Sequence, residues 1–151
     1  MTDVIAKARR SSHQTQWAAQ FAVASELCRR GYEVAFTTGN HPCIDLMAVS
    51  PKRVPFVVDV KGLYKKNFWP VREREPRSDL FYVFVLVPPG ADKVRFFVLT
   101  QEQVNIGIHE DFLYAQGRAK DKGRAMTTNP FPGVEWKYAE RWEGAWDSLP
   151  V

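Results

Sequence analysis

The alternation of apolar and polar residues predicts one helix near the start of the chain. Residues 14–30 read QTQWAAQFAVASELCRR, and Gly31 follows as a stop signal. Their apolar side chains recur at helical spacing, at Trp17, Phe21, Ala24 and Leu27 or Cys28. One face of this helix is therefore expected to belong to the core.

Five strand-like runs follow the helix. Residues 32–37, a run from about residue 43, and residues 54–61 are separated by short turn-rich stretches, which predicts an antiparallel meander. Residues 80–87 are continuously apolar, the pattern of a central strand covered on both faces, and residues 94–99 predict a fifth strand.

The remaining segments give weaker patterns. Residues 62–79 have two prolines and many charges, which predicts a long loop with at most a short helical turn. Thr100 and Gln103 resemble a capping box that opens a short helix, whereas residues 107–133, with a basic stretch expected to be mobile, give no clear pattern. Aromatic residues at helical spacing predict a C-terminal amphipathic helix at about 136–148, docked through its tryptophans.

The composition limits the possible classes of protein but does not indicate a specific function. A chain of 151 residues with 45% hydrophobic residues is expected to form a single domain, 1–151, and its net charge of +4 suits a polyanionic partner as well as an ordinary globular protein. Cys28 and Cys43 lack metal-ligand spacing, which favours reduced thiols. No signal-peptide or membrane-spanning pattern is present, so we expect a cytoplasmic protein with no membrane partner.

The candidate chemistry lies in Asp45, Asp59 and Lys61. Each aspartate interrupts an apolar run, and an isolated buried carboxylate costs several kcal/mol unless it is paired or binds a metal. Side chains two apart on a strand share a face, so Asp59 and Lys61 project together, and short antiparallel pairing with the preceding run is expected to bring Asp45 close to Asp59. The alternative is an Asp59–Lys61 pair at an exposed strand edge, with Asp45 capping a turn.

With these residues, the stretch 14–100 resembles the PD-(D/E)XK nuclease superfamily. HPCIDLMAV supplies the first acidic position, Asp45, and VVDVKG supplies Asp59 and Lys61. The resemblance implies an α/β (α+β) restriction-endonuclease-like fold, a mixed central sheet of about five strands with flanking helices. It also implies that Asp45, Asp59 and the Val60 carbonyl bind Mg²⁺ or Mn²⁺, one ion or two, and that Lys61 orients or helps to deprotonate the attacking water.

The first helix departs from this family. Many members carry a glutamate there, about three turns before the glycine that ends the helix, and this chain has Gln20. Its amide oxygen can bind a metal or a water, but it has no charge and is no base. Glu26 is the nearby acid, but it lies six residues further along the helix, about 240° around the helix axis from Gln20. It is therefore expected to be a solvated helix residue.

The loop of residues 62–79 mixes basic and aromatic side chains, which suits a phosphate backbone and exposed bases. The alternative is a solvated loop whose Phe68 and Trp69 pack on the sheet. His41, four residues before Asp45, is either a phosphate contact or a plain turn residue. The predicted nucleic-acid-binding residues are Lys65, Lys66, Trp69, Arg72, Arg74 and His41.

Two classes of function follow. The first is a metal-dependent endonuclease acting on DNA, and the second is a catalytically inactive nucleic-acid-binding or assembly module with a nuclease-like fold. A homodimer formed through the tryptophan-rich C-terminal helix is a further hypothesis. Fold alone does not choose between them, because function depends on the site and its surrounding loops.

Overall fold

A computed structural model describes residues 10–38, 42 and 44–151 of the chain. Helix α1, Ser12–Arg29, opens with a capping box in which the Ser11 hydroxyl accepts from the Gln14 backbone and the Gln14 side chain accepts from Ser11. Its inner face buries Ala19, Val23, Ala24 and Leu27. The helix predicted at 14–30 is thus confirmed, but its predicted core face is only partly correct, because Trp17 and Phe21 are 42% and 58% exposed. Cys28 is exposed on it with a free thiol, and Cys43 lies outside the described residues.

The central sheet has the predicted mixed character. Its strands are β1 (Glu33–Phe36), β2 (Leu46–Val49), β3 (Pro55–Leu63), β5 (Leu80–Leu86) and β6 (Arg95–Thr100), in the order β1-β2-β3-β5-β6. The first three form the antiparallel meander, β5 runs parallel to β3, and β6 is antiparallel to β5. All seven residues of β5 are buried, as expected for a strand with neighbours on both sides. The α/β class with a five-stranded mixed sheet and flanking helices is confirmed.

Two apolar layers cover the sheet. On one face, α1 packs over Phe56, Val58 and Val60 of β3. On the other lies helix α2, Gln101–Asp121, which opens with the capping box predicted at Thr100 and Gln103. Because β3 alternates, its residues 57, 59, 61 and 63 face this second layer, where Val57 and Leu63 join the apolar cluster. Asp59 therefore sits among apolar side chains on the α2 face.

Two segments predicted to be irregular are regular in part, while residues 64–67, 71–79 and 122–132 form no helix or strand, as predicted. In 62–79, β3 continues to Leu63, and a short strand β4 (Phe68–Pro70) pairs with β7 (Gly133–Glu135). In 107–133, α2 continues to Asp121, so it is neither short nor unpatterned there. Both differences have one cause, since partners far away in sequence supply the packing that local composition does not reveal.

The predicted C-terminal helix at 136–148 is wrong. The chain forms one turn of helix α3 (Trp136–Ala139) and two 3₁₀ turns, Glu140–Trp142 and Trp146–Ser148. Gly144 breaks the helix with φ +65°, and its N–H donates to the Phe96 carbonyl at the outer edge of β6. The aromatic spacing reflects burial of Trp136 and Trp146 in the two apolar layers.

Among the residues that the structure describes, no helix is long and apolar enough to cross a lipid bilayer.

Candidate active site

The candidate site forms where β3 extends beyond the end of β2. The ladder between these strands ends at the pair Leu46–Val58, and β3 then continues for five residues to Leu63. Asp45 is a bend residue just before β2, so the strand predicted from about residue 43 begins later. Continuing the register by one step places Asp45 opposite Asp59. The two predicted carboxylates thus meet at the end of a strand pair.

Asp45 is held by hydrogen bonds on three sides. Its backbone N–H donates to the Val58 carbonyl at 2.9 Å, and its Oδ2 accepts from the Val60 N–H at 2.7 Å. Its carbonyl accepts from the Thr37 N–H at 3.1 Å, and its Oδ1 accepts from Gln20 Nε2 at 3.1 Å. Burial raises the pKa of the carboxyl, opposed by the hydrogen bond from Val60 and by the charge of Lys61.

Asp59 is the more deeply buried carboxylate, with 1% of its surface exposed. Lys61 Nζ lies 2.8 Å from its Oδ1, but Oδ2 has no hydrogen-bond partner among the described residues. Burial raises the pKa of Asp59, the Lys61 ammonium lowers it, and the negative charge of Asp45 raises it further. A buried acceptor left without a donor is costly, so this oxygen is a candidate ligand position.

Lys61 connects the buried carboxylate to solvent. Its side chain is 33% exposed and lines a cleft of about 380 Å³ together with Arg72 and Arg74. The Arg74 charge also lowers the pKa of Asp59, although it contributes less than the Lys61 charge. Lys61 is therefore placed both to neutralise Asp59 and to meet an anion that enters the cleft.

Helix α1 brings two glutamines to the site. Gln20 lies beside Asp45, as described above, at the position where the resemblance expects a glutamate. Gln16, which sequence reasoning missed, donates from Nε2 to the Val60 carbonyl at 2.7 Å and accepts at Oε1 from the Gly62 N–H at 3.2 Å. Its position four residues before Gln20, on the same helix face, was the available signal.

The helix can reach this strand edge because Gly62 has no side chain. A Cβ on Gly62 would lie 2.8 Å from the Ala19 Cβ and 3.1 Å from the Thr15 carbonyl. Glu26, the other acid considered on α1, instead pairs with Arg30 at 2.9 Å and with Arg29 at 3.5 Å. These exposed arginine contacts agree with its interpretation as a surface helix residue.

The donor set at this site suits a hard divalent cation. Asp45, Asp59 and the Val60 carbonyl offer oxygen ligands, and the oxygens that already accept one hydrogen bond retain a second lone pair. Within residues 10–38, 42 and 44–151, no three His, Cys, Asp or Glu side chains cluster as a metal cage.

The predicted nucleic-acid-binding residues separate into two groups. Lys65, Lys66, Arg72 and Arg74 are exposed, with Lys66 Nζ 4.8 Å from the centre of the Trp136 ring. Trp69, in contrast, is fully buried and stacks on Phe84 and Trp136, so its prediction as a base-stacking residue is wrong. It packs on the sheet because pairing of β4 with β7 turns its ring inward. His41 lies outside the described residues.

A chain of polar contacts that starts at buried residues fixes the backbone of Arg74. Asn105 of α2 donates to the Arg74 carbonyl at 2.7 Å and accepts from the Arg74 N–H at 3.3 Å. Gln101, 1% exposed, donates to Asn105 at 2.8 Å and accepts from the Tyr82 hydroxyl at 2.6 Å. Tyr82 is itself the register partner of Asp59 across β3 and β5. No sequence pattern indicates this chain of contacts, since its members lie on three different elements.

No protein-family model and no curated protein sequence matches the chain. Among solved structures, the fold is similar to that of a bacterial homing endonuclease, with a TM-score of 0.44 and 17% sequence identity. The similarity covers 62% of this chain and 71% of that one.

Proposed function

We propose that this protein is a metal-dependent nuclease that hydrolyses phosphodiester bonds in DNA. The observation that carries the proposal is the Asp59 carboxylate, which is 1% exposed, faces Asp45 across the end of a strand pair, and keeps one oxygen without a partner among the described side chains. A fold that only needed an ion pair with Lys61 would gain nothing from burying a second carboxylate beside it.

Each residue has a role that follows from its contacts. Asp45 and Asp59 would hold the cation, and Gln20 fixes the orientation of the Asp45 carboxylate. Lys61, as an ammonium, donates hydrogen bonds that orient a water or a phosphate oxygen at the mouth of the cleft. When bound, a divalent cation supplies positive charge that acidifies the attacking water and offsets the charge that builds on the phosphate. The water oxygen bonds to phosphorus as one ester P–O bond breaks, and the departing oxygen takes up a proton.

The test is cleavage of single-stranded, duplex and branched DNA with Mg²⁺ or Mn²⁺. Asp59→Asn and Lys61→Ala should each reduce cleavage by about 100-fold or more, since each removes charge stabilisation at the reacting phosphate. Glu26→Gln is the matched control, because this acid also lies in an ion pair but on the arginine-flanked part of α1. If all three variants cleave like the wild type, or if no DNA form is cut, the catalytic proposal fails.

A second candidate is a nucleic-acid-binding module without turnover. It is favoured by the amide of Gln20 beside Asp45 and by the lack of a third acidic ligand in the described part of the chain. Such a module would bind DNA in EDTA, and its affinity would fall steeply with salt because phosphate contacts release counterions. Metal-independent binding combined with intact substrate would favour this candidate over the nuclease.

A further inference from the structure

The cleft beside Lys61 has a rigid frame. The β4–β7 pairing matches Phe68 with Glu135 and Pro70 with Gly133, and the Val71 N–H then donates to the Pro132 carbonyl at 3.2 Å. One further step of the same register places Arg72 opposite Phe131. The cleft has a basic wall, formed by Lys61, Arg72 and Arg74, and an aromatic wall, formed by Phe68 and Phe131. The two-stranded β4–β7 ribbon joins these walls.

The basic wall carries three cations. Lys61, Arg72 and Arg74 line the cleft, and no acidic residue of the described chain lines it. On the other side of Phe68 and Phe131 lies a second cavity, lined by Asp111 and Glu135 together with Lys66. Burial and the charge of Glu135 raise the pKa of Asp111 there. An anionic strand is therefore directed into the cleft that contains Lys61.

The aromatic wall ends in Phe131, which is 76% exposed, more than any other large apolar side chain of the described residues. Pro130 and Pro132 flank it, and their fixed φ angles limit backbone movement on both sides. A large ring that is exposed to water on a stiff segment has a flat face available for stacking. The flat face of a nucleobase is a suitable partner, because every base can stack on an aromatic side chain.

The backbone of the basic wall is also anchored at Arg74 before any ligand binds. The two hydrogen bonds between Asn105 and the Arg74 backbone anchor this wall to α2, and the buried Gln101 anchors Asn105 in turn. An anchored backbone reduces the entropy that this segment loses on binding.

We propose that this cleft binds one unpaired nucleotide of a nucleic-acid strand, with its base stacked on Phe131 and its phosphate held by Arg72 and Arg74. The base must be unpaired, because the faces of bases in a duplex are covered by their neighbours. The inference rests on the proposed function in one respect only, since Lys61 would place the adjoining phosphate at the hydrolytic site. It predicts that the preferred substrates contain single-stranded or extruded nucleotides.

The experiment measures DNA binding in EDTA, where no metal-dependent step contributes. Fluorescence anisotropy compares a single strand of about 12 nucleotides, a length that one small module covers, with a blunt duplex. Phe131→Ala should weaken single-strand binding about tenfold, which corresponds to about 1.4 kcal/mol and lies within the range for one stacked base. Phe131→Trp should retain the affinity. Tyr114→Ala is the control, because Tyr114 is 67% exposed but lies on α2 and does not line the cleft.

A base analogue gives a second readout. A single 2-aminopurine in the strand should lose fluorescence on binding to the wild type and to Phe131→Trp, but not to Phe131→Ala. Equal affinity of wild type and Phe131→Ala for the single strand, or an equal loss on duplex DNA, would overturn the proposal. So would a dimer that Phe131→Ala converts to monomer without affecting DNA binding.

The two proposals fail separately. Cleavage that depends on Asp59 but not on Phe131 would support the nuclease proposal and contradict the stacking site. Binding that depends on Phe131, with no cleavage, would support the stacking site and contradict the nuclease proposal.

Discussion

Replacing Asp59 by asparagine should stabilise the metal-free protein while removing its response to Mg²⁺. Asp59 is 1% exposed, burial is the main cause that raises its pKa, and its Oδ2 has no donor within the described structure. At neutral pH the ionised carboxylate therefore costs folding free energy when no cation is present. An asparagine of nearly the same shape removes that charge.

The magnitude follows from two opposing contributions. A buried acceptor without a partner costs about 1–3 kcal/mol, whereas loss of the pair with the one-third exposed Lys61 costs about 1 kcal/mol at most. The net gain is at most about 2 kcal/mol, because the asparagine amide also lacks a partner at this position, and it corresponds to a rise in Tm of up to about 8 °C for a domain of this size. A cation at ten times its Kd stabilises the wild type by about 1.4 kcal/mol, and this gain should be absent in the variant.

Thermal unfolding of both proteins in EDTA and in Mg²⁺ measures these differences. The exposed Asp92→Asn is the control, and it should leave both the Tm and the Mg²⁺ shift unchanged. The reasoning is refuted if Asp59→Asn unfolds at or below the wild-type temperature in EDTA. It is also refuted if both proteins gain the same stability from Mg²⁺.

Two further predictions concern stability. In α2, Gly107→Ala should destabilise the fold by about 1–3 kcal/mol because the new Cβ would lie 2.5 Å from the Tyr138 ring, whereas Gly117→Ala, with nothing within 4 Å, should stabilise it by about 0.5–1 kcal/mol. Urea unfolding measures both, and equal effects of the two substitutions would contradict the packing argument. The hydrogen bond from Arg95 lowers the pKa of Glu143 below its ordinary 4.5, so this pair stabilises the fold above that pH and loses its effect as pH falls through the lowered pKa. Glu143→Gln should therefore cost about 0.5–1 kcal/mol at pH 7, and this cost should shrink as the pH falls below 4.5; a cost that stays constant in acid would contradict the charge argument.

The sequence predicted those elements whose signals are local. The helical spacing in α1, the apolar run of β5 and the capping box at Thr100 each depend on a few neighbouring residues. The opposition of Asp45 and Asp59 also followed from a short meander, because few registers are open to strands joined by tight turns.

The remaining features depend on contacts between distant segments. The β4–β7 pairing joins residues about 65 positions apart and buries Trp69, so no local pattern could reveal it. The same pairing brings Phe131 to the cleft, where we propose that it takes the stacking role predicted for Trp69. The C-terminal helix failed for a related reason, since the tryptophans are buried by turns around Gly144 rather than by one continuous helix face.

The way in which β3 ends has a consequence for association between chains. A strand that outruns its neighbour normally exposes unpaired N–H and C=O groups, which template pairing with another chain and promote aggregation. Here the Asp45 carboxylate and the Gln16 amide bind those groups from Val60 to Gly62. These side chains thus protect this edge of β3 against the addition of another strand. The site beside the two aspartates therefore remains accessible only to ligands that do not pair with the backbone.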